Sequence, residues 1–179
     1  TALDLAIGSP LRQAVLALDH GLRSKLLSLS ELQEQLDRRG ACRGAVKARR
    51  AIEFADGRSE SAGESLSRVV MLESGFAIPD LQRRFARVSG EKAFVDFYWE
   101  RQGIVGEFDG DIKYRAPEFR SGLSAEEVVV REKDRENWVR ADHEVEGFVR
   151  WTWADAFTPG RLGGLLRAAG VPQARRGRA

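Results

Sequence analysis

Three acidic side chains on two neighbouring strand-like segments carry the clearest chemistry in this sequence. In the run Phe94-Val95-Asp96-Phe97-Tyr98-Trp99, Asp96 is the lone acid among bulky strand formers. In Gly103-Ile104-Val105-Gly106-Glu107-Phe108-Asp109-Gly110, the acids Glu107 and Asp109 stand two apart. A period of two puts both on one face of a strand, and a short hairpin lays Asp96 beside them. Carboxylates that converge in this way repel one another unless a cation or a proton intervenes. Oxygen ligands in a chain with only two histidines, His20 and His143, point to Mg²⁺ or Mn²⁺ rather than zinc. Such an ion activates a water and stabilises the charge that builds on a phosphate during hydrolysis. Lys113 follows across the glycine turn, where an ammonium could position the water or neutralise the phosphate. The plain alternative is a strand that ends in an ordinary solvated tip.

The elements that must position these residues are legible from spacing. Residues 1–57 read as helical: Leu11, Val15, Leu18 and Leu22 repeat at helical spacing after Pro10, up to about Arg23. Ser30 is expected to cap a second helix that stops at Gly40, and a third runs from about Cys42 to Ala55. Ser61 and Glu64 stand in capping-box spacing ahead of a helix that ends near Ser74. Three strands are then expected, roughly Gln82 to Val88, Glu91 to Glu100 and Gly103 to Asp109, with turns at Ser89-Gly90 and Gln102-Gly103. Ser124 and Glu127 open a helix to about Ala141, Gly147 to Thr152 reads as a strand, and residues 154–169 as one or two short helices. This order predicts an α/β fold, a mixed sheet flanked by helices with a helical N-terminal extension. The expected divisions are 1–57 for the extension, 58–170 for the sheet domain and 171–179 for a basic tail.

Two charges on the later helix interrupt its inward face. Glu132 and Arg135 fall beside Val128 and Val139 on a helical wheel. They form either an internal ion pair at i, i+3 spacing or a phosphate-directed arginine that Glu132 holds in place. Lys133 lies well around the helix, where it could touch backbone phosphates. Trp151 and Trp153 read as core, and the histidines as surface residues. Cys42, without a partner to lower its pKa, is assigned no role.

Taken together, Asp96 and the run Glu107-x-Asp109-Gly110-x-x-Lys113-Tyr114 resemble the PD-(D/E)XK nuclease core. More narrowly they resemble the Vsr-like domain at the C-terminal end of AbiEi-type bacterial antitoxin-like proteins. Further matches are Glu64 and Arg68 in the preceding helix, Pro79 and Gln82 before the first strand, and Glu132-Lys133-x-Arg135-Glu136 with Arg140. Arg150-Trp151-x-Trp153-Ala154-Asp155 closes the pattern, and the resemblance covers about residues 59–160. It implies a restriction-endonuclease-like fold and a divalent-metal-dependent DNA endonuclease. Asp96, Glu107 and Glu64 would bind Mg²⁺ or Mn²⁺, with Asp109 in support and Lys113 on the transition state. Arg135, Arg140, Lys133, Arg68 and Gln82 would contact nucleic acid. One departure stands out: the usual lysine place on the strand is held by Asp109, and Lys113 lies beyond the turn. The resemblance therefore also admits a non-catalytic antitoxin or regulatory module that binds DNA or a toxin-like protein partner.

Composition bounds these readings. At 179 residues, with 42% hydrophobic and 31% charged, the chain can build one real core and a small helical appendage. Its apolar runs are too short for a membrane span and no leader is evident, so a cytoplasmic protein is expected. The opening Thr1 suggests a piece of a longer protein. A single cysteine excludes an intramolecular disulfide framework and a cysteine-based zinc site. A net charge of +2 does not by itself specify nucleic acid, although Arg161, Arg167, Arg175, Arg176 and Arg178 make the end of the chain basic.

Overall fold

Apolar residues at helical spacing fold the front of the chain into α1 (Ala2–Gly8), α2 (Leu11–Arg23), α3 (Leu29–Arg39), α4 (Ala45–Phe54) and α5 (Ala62–Glu73). The computed structural model describes residues 1–87, 89–110 and 125–174. Among these no helix is long and apolar enough to cross a membrane. Pro10 stands as N-cap of α2, where a missing N–H costs nothing. Ser28 rather than Ser30 caps α3, because Glu31 completes its capping box. The inward stripes of these helices meet in one core that includes Leu3, Val15, Leu18, Leu32, Leu36, Ile52 and Val69.

The chain divides into two compact units, Thr1–Glu73 and Ser74–Ala179. The boundary therefore falls after α5, not at residue 58. Val69 of α5 packs into the helical core, and Arg68 pairs with Asp19 of α2, so this helix belongs with those before it.

In the second unit β1 (Asp80–Ala86) buries Leu81 and Phe85, and β-branched and aromatic residues form β2 (Lys92–Trp99) and β3 (Ile104–Asp109). After α6 (Ala125–Arg140) comes β4 (Gly147–Thr152), then α7 (Trp153–Phe157) and α8 (Arg161–Ala168). The sheet order is β1-β2-β3-β4; the first three strands form an antiparallel meander and β4 lies parallel to β3. A parallel return needs a crossover, which α6 provides. Its Val139 packs with Phe85, Val95, Tyr98 and Val105 of the sheet. Gly103, at φ +60°, makes the turn before β3, where a side chain would strike the Glu144 carbonyl.

Gly106 is required for a different reason. A Cβ there would lie 2.8 Å from the Trp151 ring and 3.0 Å from that of Trp99. Trp151 is in turn stacked on Phe97, so neither ring can give way easily. Gly106→Ala is expected to cost about 1–3 kcal/mol by overpacking. Tryptophan fluorescence during urea unfolding checks this directly, since all four tryptophans lie in this unit.

The start of α7 is held by a reciprocal cap. Asp155 accepts from the Thr152 backbone N–H at 2.8 Å and from its hydroxyl at 2.9 Å. The Thr152 N–H, assisted by Arg161, holds the Asp155 carboxyl below its ordinary range, against the effect of burial. A lowered value means that the stabilisation is present above about pH 4 and is lost as pH falls through the folded value. Asp155→Asn is expected to cost on the order of 1 kcal/mol near neutrality. That deficit should shrink in acid, which thermal melts across pH would show.

Candidate active site

The β2–β3 ladder runs through Trp99↔Ile104, Tyr98↔Val105 and Phe97↔Gly106. The next rung in that register would set Asp96 opposite Glu107. There the regular pattern stops: the Asp96 side chain, through Oδ2, accepts the Phe108 backbone N–H at 2.8 Å. On the other side, Gln82 of β1 lies between the paired rungs Leu81↔Phe97 and Arg83↔Val95, and its φ is +53°. A left-handed backbone at a residue with a side chain is costly, of order 1–3 kcal/mol, and such strain gathers at functional sites. Strand alternation slips at the same place, for Val95 and Tyr98, three apart, share one core cluster. Asp96, Gln82 and Glu107 thus mark a single irregular rung across three strands.

Glu107 is buried, at 6% exposed, and both of its oxygens are engaged. Arg135 of α6 donates to Oε1 at 2.7 Å, and Arg150 of β4 to Oε2 at 2.6 Å. Arg150 reaches it because parallel register makes the two residues direct neighbours. Arg135 also holds Glu132 at 2.7 Å and the Phe94 carbonyl at 3.1 Å. Burial opposes its charge, but Glu132 and Glu107 keep the guanidinium firmly protonated. Arg150 extends the network to Glu136 at 3.0 Å, and Glu136 takes Arg140 at 2.7 Å. Arg140 lies over the Phe148 ring, 4.1 Å from its centre. The charge of half-buried Asp109 also acts on Arg150. Among the described residues around this rung, the carboxylates Asp96, Glu107, Asp109, Glu132 and Glu136 stand with the guanidiniums of Arg135, Arg140 and Arg150.

The structure gathers Asp96, Glu107, Asp109, Arg135, Arg140 and Gln82 at this end of the sheet. Lys133 is exposed on α6 and Lys113 lies outside the described residues. Glu64 and Arg68 belong to the helical unit. The Glu64 carboxylate accepts from the Ser61 hydroxyl at 2.7 Å and the Glu60 N–H at 2.8 Å, so it serves as a helix cap. Arg68 is buried on Asp19, on the Phe54 carbonyl and on Ser59, which removes it from any phosphate surface. The residue that sequence reasoning did not assign to the site is Arg150. Its signal was an arginine in the otherwise apolar and aromatic strand run Phe148-Val149-Arg150-Trp151, a position that needs an acidic neighbour.

Among the described residues, no three Asp, Glu, His or Cys side chains gather to hold a metal ion. Mg²⁺ needs fewer, since one or two carboxylates with waters and substrate phosphates complete its shell. Asp96, whose Oδ2 accepts the Phe108 amide, and Asp109 beside Glu107 are the carboxylates such an ion would use, while both Glu107 oxygens are held by arginines. Glu64, used as a cap, contributes no support to such a set.

No family model matches the chain, and no solved structure matches it. Two curated proteins of Mycobacterium tuberculosis are similar, one from strain H37Rv and one from strain CDC 1551, both named as uncharacterized. Each is 37% identical over 109 residues, which is 61% of this chain. The chain spans only 40% of the length of these curated relatives.

Proposed function

We propose that the second unit is a divalent-metal-dependent, endonuclease-like domain that hydrolyses phosphodiester bonds in DNA. The observation that carries this reading is the irregular rung, where the β2–β3 ladder stops after Phe97↔Gly106 and the Asp96 carboxylate instead takes the amide of Phe108, the residue next to Glu107. These two carboxylates would hold Mg²⁺ or Mn²⁺, with Asp109 beside them. The ion supplies an activated water and stabilises charge on the phosphate. The Phe108 amide fixes the rotamer of Asp96, and Arg135 and Arg150 fix that of Glu107. Arg140 and Lys133 on α6 are the cations assigned to phosphates, and Lys113 to the transition state. Plasmid cleavage with Mg²⁺ tests the reading: activity that Asp96→Asn removes supports it, and activity that survives Asp96→Asn refutes it.

One observation favours a second reading. Both oxygens of Glu107 are already neutralised by guanidiniums, an arrangement that is stable without an ion. A non-catalytic antitoxin-like or regulatory module, binding DNA or a protein partner through this fold, would show no metal-dependent cleavage at any ion concentration.

A further inference from the structure

The charge of the helical unit is not evenly spread. Between Asp37 and Glu53 there is no acidic residue, while Arg38, Arg39, Arg43, Lys47, Arg49 and Arg50 are all basic. Some of these are spoken for: Arg39 pairs with Asp4, Arg49 with Asp37 and Arg38 with Glu34. Arg43, Lys47 and Arg50 have no ion pair among the described residues. Their spacing explains why they act together. Ala48, Ala51 and Ile52 of α4 are buried, so Val46 and Arg50 stand on the opposite face with Lys47 on its flank and Arg43 just ahead of the helix. Val46 on that face is 86% exposed, a large apolar side chain with no cover. Leu11, Cys42 and Gly44 join Val46, Lys47 and Arg50 around a shallow groove of about 430 Å³. Glu53, one turn beyond Arg50, is exposed at the end of this face and is its one acid within α4.

Lys47 and Arg50 on α4 and Arg43 in the turn ahead of it make no ion pair among the described residues, and an extended polyanion would neutralise all three. Arginine on such a face suits phosphates, whose oxygens match its planar fork. We propose that the exposed face of α4, with Arg43, Lys47 and Arg50, docks the phosphate backbone of a nucleic acid. This docking face is separate from the acidic rung of the second unit, needs no divalent ion, and stands whether or not that unit cleaves.

The test is binding of a labelled DNA duplex to the full chain in EDTA, over a range of salt. Arg43→Gln/Lys47→Gln/Arg50→Gln should weaken binding about tenfold or more at low salt. It should also flatten the plot of log affinity against log salt by about 2–3, close to 0.9 for each phosphate that the variant no longer neutralises. All three positions lie outside the core, so the melting temperature should stay unchanged. A control that removes three exposed charges of the other unit, Arg84→Gln/Lys92→Gln/Arg101→Gln, should keep affinity and slope. Unchanged binding in the first variant, or equal weakening in the control, would overturn the proposal. So would displacement of the duplex by polyglutamate at matched charge, which would reassign the face to an acidic protein.

Discussion

Replacing Arg68 by methionine is expected to destabilise the helical unit by about 3–5 kcal/mol, the scale of breaking a buried ion pair from one side. Arg68 is 3% exposed and Asp19 is fully buried, joined at 2.7 Å. The same guanidinium holds the Phe54 carbonyl at 2.7 Å and lies over the Phe54 ring at 4.7 Å. Methionine preserves most of the stem volume, so the loss comes from the stranded carboxylate rather than from a cavity. Burial already pushes the Asp19 carboxyl above its ordinary range, with Arg68 and the Asp56 N–H pulling it back. A carboxyl raised in the folded state contributes stability below about pH 4, and that contribution disappears as pH rises through the folded value. Without Arg68 the folded value climbs further, so the defect should be larger at about pH 8 than at about pH 5. Adding Asp19→Asn should recover much of the loss, because the stranded charge is gone. Far-ultraviolet circular dichroism during urea unfolding reads these differences, since the helical unit has no tryptophan. A deficit that Asp19→Asn leaves unchanged would show that packing, not charge, sets the cost.

The second large effect is on the proposed activity. Glu107→Gln is expected to lower metal-dependent cleavage by about 100-fold or more, since even outer partners of a metal site cost 10–100-fold when removed. The fold should survive this change. Arg135 keeps Glu132, Arg150 keeps Glu136, and a glutamine oxygen can still accept one guanidinium. The expected stability cost is about 1–3 kcal/mol, the scale of one charged hydrogen bond. A folded variant without activity separates a role in chemistry from a role in holding β3, β4 and α6 together. A variant that melts as the native chain does and cleaves as well would remove Glu107 from the site.

Much of the sheet unit was legible because its signals are local. Period-two runs closed by Ser89-Gly90 and Gln102-Gly103 placed three strands within a few residues of those observed, and β4 matches its expected bounds. Glu107 and Asp109 were legible for the same reason. Less visible was whatever depends on residues far apart in the chain. Arg68 and Asp19 are 49 positions apart, and no spacing rule links them. That pairing is why the helix expected with the sheet domain belongs to the helical unit. Arg150 meets Glu107 only through parallel register, which a strand-by-strand reading does not supply. Glu64 stood in spacing for a cap through Ser61 and a pair with Arg68, with the metal role coming from the resemblance alone, and the observed hydrogen bonds put its carboxylate in the cap. The left-handed backbone at Gln82 had no sequence signal, for neither Gly nor Asn marks the position.

The proposed function requires that Asp96 and Glu107 together hold a divalent cation. Isothermal calorimetry of Mg²⁺ and Mn²⁺ against the native chain, Asp96→Asn and Glu107→Gln addresses it most directly. Binding at one site in the native chain that both substitutions abolish is the expected result. No binding to the native chain, or binding that persists through both substitutions, would contradict it and leave the arginine-locked, non-catalytic module as the reading of this fold.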